Sequence, residues 1–373
     1  RRRFSPNIKY RNKRNTFIPS LGNIKNKNQD NNLFMKDRIT YYDLLRGLAI
    51  IGVVAIHSTR IGYTFDDTSI DFNVTVFWRQ MINFSVPMFI AISGYFLANK
   101  ETNSKESYLK FIKKQIPRVL IPYLLWSVLY LGISYLRGAS LSSLVYQLFT
   151  FTSSTPFYFI ILIIEYYLLL PILQKLATPK GLIISALVSS LSCILIFYFR
   201  YYTNVQLPIF VVGSAPSWLI FFVLGIYLRN NAIKLNNRTL IFLLILGLGL
   251  SLFETYTLYH FFNDIGNSVT AVKVSSFVYS TFLILFAFKN ADRNFSKTKM
   301  LAYFGEISFG IYLSHMFFMM GVIFIITKLL PILKDNALIY QFSLIALTLS
   351  CCLIFALITR KINKTIAVKY LGQ

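Results

Sequence analysis

The chain has 373 residues, 55% of them hydrophobic and 14% charged, with a net charge of +24. A soluble domain of this length needs more polar surface, so the composition excludes an ordinary water-soluble enzyme and points to a polytopic membrane protein. The positive charge lies in the N-terminal stretch and in short connections between apolar runs, not in a stripe with stacking aromatics, which excludes a nucleic-acid partner.

Residues 1–38 carry eleven Lys or Arg, two Asp and many Asn, with no apolar run of signal-peptide length. We expect a disordered, basic cytoplasmic tail, either solvated or lying on anionic head groups. A spanning helix needs about 20 mostly apolar residues. That ruler predicts ten spans, near 41–62, 76–98, 118–137, 156–174, 181–199, 209–228, 239–257, 268–288, 303–326 and 337–359. The expected fold is therefore all-α: a polytopic membrane helix bundle over 39–360, followed by a short basic cytoplasmic tail over 361–373.

Orientation follows from the basic residues. With the N-terminus in the cytoplasm, the inner segments hold 30 Lys or Arg and the outer ones 5. Without the tail the count is still 19 to 5, so both termini are expected inside. The three cysteines, Cys193, Cys351 and Cys352, sit within apolar runs and suggest buried thiols, with neither a disulfide framework nor metal-ligand spacing. No metal site is expected.

The first span, "YYDLLRGLAIIGVVAIHSTR", keeps Asp43, Arg46 and His57 in an otherwise apolar segment. Eleven residues at about 100° each are three turns plus about 20°, so Arg46 and His57 share a helix face, about 16 Å apart along the axis. Asp43, one turn earlier, is placed to pair with Arg46. Charge facing lipid is costly, so this stripe should face the bundle interior or water. Snorkelling at the two ends of the span is the bland alternative.

In the second span, "NFSVPMFIAISGYFLA" places Pro87 to bend the helix and Gly94 to allow close backbone approach, with Ser93 and Tyr95 beside it. Arg79 precedes this stretch. Ahead of the third span, "YLKFIKKQIPRVLIPYLLW" clusters Lys113, Lys114 and Arg118 at the cytoplasmic mouth. Such cations suit the phosphates of a cytosolic donor, or simply set topology.

Glu165 falls near the middle of the fourth span, with Tyr158 seven residues back on roughly the same face. A base, a partner for an arginine, and a protonated carboxyl are all open to it. In the ninth span Ser308, Tyr312 and His315 form one stripe at i, i+4 and i+7.

Taken in order, Arg46-x10-His57 in "RGLAIIGVVAIH", "VPMFIAISGYF", "PRVLIPYLLW", "FYFIILIIEYYLLLPIL" and "SFGIYLSH" resemble the acyltransferase-3 family of integral membrane acyltransferases. The resemblance covers most of residues 40–360 and is nearest to the enterobacterial common antigen O-acetyltransferase type. It implies transfer of an acyl group, usually acetyl from acetyl-CoA, onto a carbohydrate hydroxyl, by a multi-pass protein of the inner or plasma membrane with no bound cofactor. Glycan-assembly partners and a homo-oligomer are both open. Two departures stand out: Gln115 replaces the first arginine of the family's R-x-x-R, and Pro156, Phe157 and Tyr158 stand where His-Leu-Trp often begins the fourth-span signature.

By that resemblance His57 and Arg46 are catalytic, with Glu165 joining them through its burial. His57 acts as general base or carries the acyl group, and Arg46 orients the donor or stabilises negative charge. Lys113, Lys114 and Arg118 take the nucleotide end of CoA, while Asp43, Ser93, Tyr95, Tyr158, Tyr312 and His315 are further pocket candidates. A carrier or flippase of a lipid-linked sugar or small solute is the alternative, since buried charges and broken helices suit it too.

Overall fold

The computed structural model describes residues 41–203, 205, 207–291 and 299–373, and every regular element among them is helical. The expected basic tail over 1–38 lies outside the described residues, as does 292–298. Helix α1 covers 41–58 and tightens into a 3-10 turn at Thr59–Thr64. It is followed by α2 (Ile70–Ile82), α3 (Ser85–Leu97), α4 (Lys105–Leu136), α5 (Leu141–Phe149) and α6 (Tyr158–Leu176). Next come α7 (Pro179–Tyr202), α8 (Ile209–Val212), α9 (Ala215–Asn230), α10 (Asn237–Phe262) and α11 (Ile265–Ser268). The remaining helices are α12 (Val274–Lys289), α13 (Lys299–Glu306), α14 (Ser308–Leu329) and α15 (Ala337–Ile366).

Helix starts follow local chemistry. Ser69, Ser104, Ser140, Thr178, Asn236 and Asn336 each accept a backbone N–H at the head of α2, α4, α5, α7, α10 and α15. These are the short polar side chains that satisfy otherwise orphaned donors.

Among the described residues nine helical stretches are long and apolar enough to span a membrane, with α2–α3 and α8–α9 each counting as one. The eighth expected span is the shorter α12, 16 residues or about 24 Å of helix. Its approach is a turn in which Val269, Ala271, Val272 and Lys273 are buried. The molecule is a polytopic helical bundle.

Side-chain placement on α7 shows why it is built for lipid. Ile183, Leu187, Leu191 and Ile194 face outward, 56–65% exposed, while Ser185, Ser189 and Cys193 are buried. Helical spacing puts the apolar stripe outside and the small polar stripe inside, the reverse of a soluble amphipathic helix.

Two expectations need correction. The second span is not one bent helix: it breaks at Asn83–Phe84, because Pro87 has no N–H to bond the Asn83 carbonyl, and α3 restarts with that proline in its first turn. Lys113, Lys114 and Arg118 lie not in a loop but on α4, which a Ser104–Ser107 capping box starts well ahead of the expected span. Residues 361–373, the expected short basic tail, are helical in part. Helix α15 kinks at Asn363, a π-helical turn follows at Ala367–Leu371, Trp126 donates to the Leu371 carbonyl at 3.4 Å, and Gln373 is buried.

The core of the bundle rests on close backbone contact between α3 and α9. A Cβ on Gly94 would lie 2.2 Å from the Phe222 carbonyl oxygen, and one on Gly225 would lie 2.0 Å from that of Ala91. The reciprocal glycines let the two helices touch, the close approach that Gly94 suggested from sequence.

Candidate active site

Arg46 and His57 border one cavity of about 400 Å³ inside the bundle. The single-face geometry of α1 therefore leads from one end of a shared space to the other, with a mostly apolar wall between.

At the Arg46 end, Nη1 donates to Asp43 Oδ1 at 2.7 Å, and the guanidinium carbon stands 4.9 Å over the Phe96 ring. Both charged groups are half-buried. A carboxylate and an aromatic face hold the arginine while leaving part of its donor fork free. Ser308 borders the same cavity, as does Ser93, whose hydroxyl donates back to the Phe89 carbonyl at 2.8 Å.

At the other end, the His57 ring lies 5.4 Å from that of His315. His315 is fully buried, with Nδ1 2.7 Å from the Tyr312 carbonyl and 3.1 Å from that of Ile311. Tyr312 borders the cavity and donates to the Pro156 carbonyl at 2.6 Å. Tyr158 also borders it, its ring filling the space that a Cβ on Gly213 would need.

The structure adds a residue that the sequence reading left off the site. Arg79, in the last turn of α2, borders the cavity together with His57 and Tyr158. Arg79 donates to Asn83 Oδ1, and no carboxylate pairs with it among the described residues. The signal was present: an arginine inside an apolar span is a functional candidate by the same rule that selected Arg46.

Behind Arg79 runs a buried polar network. Asn83 donates to Gln80 Oε1 at 3.0 Å and to the Val269 carbonyl at 3.2 Å. Lys273 Nζ donates to Gln80 Oε1 and to the Ser251 and Ser268 carbonyls, each at 3.1 Å, and also to Thr255. The network ties α2 and α10 to the 268–273 turn, whose Thr270, Ala271 and Val272 border the cavity. Burial of an ammonium is tolerated here because oxygen acceptors surround it.

Three groups of candidates are placed elsewhere. Glu165 is not on the cavity wall; its Oε2 accepts the Ala215 N–H at 2.7 Å, at the start of α9. Tyr95 is buried between the rings of Tyr42 and Phe288, with Arg229 over its face. Lys113 and Lys114 edge a separate shallow depression on α4, whereas Arg118 is exposed beside Val119, which does border the cavity.

A family model described as an acyltransferase domain matches residues 39–357. The chain belongs to the acyltransferase-3 family. No curated protein and no solved structure matched it. The match makes this a membrane acyltransferase, and the Arg46–His57 cavity lies wholly within the matched residues.

Proposed function

We propose that this acyltransferase-3 protein is an O-acetyltransferase of the inner or plasma membrane, which transfers an acetyl group from cytosolic acetyl-CoA to a hydroxyl of a cell-surface or lipid-linked carbohydrate. The motif set supports the envelope-glycan branch, of which the enterobacterial common antigen type is an example. The observation that carries the reading is the single cavity bordered by Arg46, His57 and Arg79.

The charge asymmetry supports an Arg46 end that faces the cytoplasm. Lys113, Lys114 and Arg118 then lie on that side and take the CoA phosphates, while the pantetheine arm enters past Arg46. At the far end His57 removes the proton of the acceptor hydroxyl as its oxygen attacks the thioester carbon. Negative charge gathers on the carbonyl oxygen, and Arg79 is the cation placed to meet it there. The carbon–sulfur bond then breaks, and His57 returns the proton to the departing thiolate, giving acetyl ester and free CoA. Arg46 thereby orients the donor, and Glu165 serves as the N-terminal acceptor of α9.

Purified protein in lipid nanodiscs with acetyl-CoA labelled in the acetyl group tests this, using envelope glycan from cells lacking the protein as acceptor. Label should appear in base-labile ester on the glycan, with CoA released in equal amount. Uptake of glycan by sealed vesicles holding the same protein, without thioester cleavage, would instead make it a carrier and overturn the reading.

A further inference from the structure

His315 has one nitrogen whose role is settled by its neighbours and one whose role is not. Both partners of Nδ1 are backbone carbonyls, of Tyr312 and Ile311. Carbonyl oxygens only accept, so Nδ1 carries the hydrogen in the neutral ring, and Nε2 is left as a lone-pair acceptor. That Nε2 is buried, with no hydrogen-bond partner among the described residues. An unsatisfied buried polar atom is costly, so its retention calls for an explanation.

The nearest explanation is the ring across from it. The centroids of His57 and His315 are 5.4 Å apart, with planes inclined by 41°. The two imidazoles are thus direct neighbours, and a turn of the His57 ring can bring one of its nitrogens toward that of His315. His57 borders the cavity, whereas His315 lies behind it. The first ring thus has the cavity on one side, while the two carbonyls hold the second.

We propose that His315 is a positioning residue for His57. When His57 engages an acceptor hydroxyl with one ring nitrogen, its other nitrogen donates to Nε2 of His315. The hydrogen bond fixes the tautomer, leaving the working nitrogen unprotonated and aimed into the cavity. It then steadies the imidazolium that forms when the hydroxyl proton is taken up. A neutral histidine does here what a carboxylate does behind many catalytic imidazoles, without placing a second buried charge beside Arg79. The inference rests on the acyl-transfer reading for its consequence, but its geometry does not.

Nitrogen-15 histidine spectra test it directly, because the chain has only three histidines, His57, His260 and His315. In the wild-type protein in nanodiscs, loaded with a glycan acceptor and no donor, His315 should be protonated at Nδ1 alone and His57 should show one neutral tautomer. His315 protonated at Nε2, or His57 split between tautomers, overturns the proposal without any substitution. Two variants separate positioning from packing. His315→Asn keeps a donor near the Nδ1 place and lacks the far acceptor; His315→Gln puts a carbonyl oxygen near the Nε2 place. The Asn variant should lose kcat by about tenfold or more, with KM within about twofold, and release His57 into both tautomers. The Gln variant should recover most of that loss. Equal activity of folded Asn and Gln variants, or an unchanged His57 tautomer in the Asn variant, rules the role out. The tautomer measurement needs no turnover, so failure of the acyl-transfer reading would be seen separately, as absent ester product.

Discussion

Asp43 and Arg46, one turn apart at the start of α1, form a 2.7 Å ion pair beneath which the Phe96 ring lies 4.9 Å from the guanidinium carbon. The pair is half-exposed, so its contribution to folding is small, but it sets where the planar fork points. Arg46→Lys keeps the charge and loses the fork. We expect kcat/KM for acetyl-CoA to fall by about 10- to 100-fold in Arg46→Lys and by less than about fivefold in Asp43→Asn, measured as CoA release.

Removal of the base and of the nearby cation should separate by step. His57→Ala should lower kcat by about 10²- to 10⁴-fold, the range of general-base catalysis. Arg79→Gln should cost about 10²- to 10³-fold in kcat with donor KM little changed, as expected for a group that acts on charge formed only during transfer. A folded Arg79→Gln protein with wild-type kcat would remove Arg79 from the mechanism.

Glu165 offers a contrast. Its 2.7 Å bond to the Ala215 N–H is that of a helix-start acceptor, and Gln can supply an amide oxygen in the same place. Glu165→Gln should therefore keep turnover within about twofold, while Glu165→Ala lowers thermal stability by about 1 kcal/mol. A loss of kcat in the Gln variant beyond tenfold would instead assign the carboxylate to the chemistry.

Lys273 should report on the network behind Arg79. Lys273→Met fills the volume but removes the hydrogen bonds to the Ser268 carbonyl and the Thr255 hydroxyl, while Gln80 Oε1 keeps Asn83 and Ser251 as donors. The expected cost is about 2–4 kcal/mol in detergent unfolding. Because the 268–273 turn edges the cavity, acceptor KM should rise as well. An unchanged melting temperature would show that water replaces the ammonium at no cost.

Much of the fold was legible because lipid imposes a simple rule: a backbone without water must hydrogen-bond to itself over about 20 apolar residues. That rule located the spans and also singled out Asp43, Arg46 and His57 as side chains that needed a reason to be there. It misjudged α4, whose start depends on Ser104 and Ser107 and not on hydropathy, and it could not see that Pro87 divides α2 from α3. It also offered Glu165 as a catalytic candidate; the structure shows its carboxylate accepting the Ala215 N–H, and burial alone does not separate the two roles.

Spacing along a single helix settled that Arg46 and His57 share a face, because 3.6 residues per turn is a local property of the chain. Which groups meet them across the cavity depended on tertiary packing. Arg79 and Asn83 are placed by the break at Pro87, His315 by α14, and the 268–273 turn by a lysine that bonds Gln80 on α2 and the Ser251 carbonyl on α10. Those contacts join residues up to 258 positions apart, as His57 to His315 shows. No periodicity encodes them, because they follow from how closely backbones pack, which Gly94 and Gly225 set where α3 meets α9.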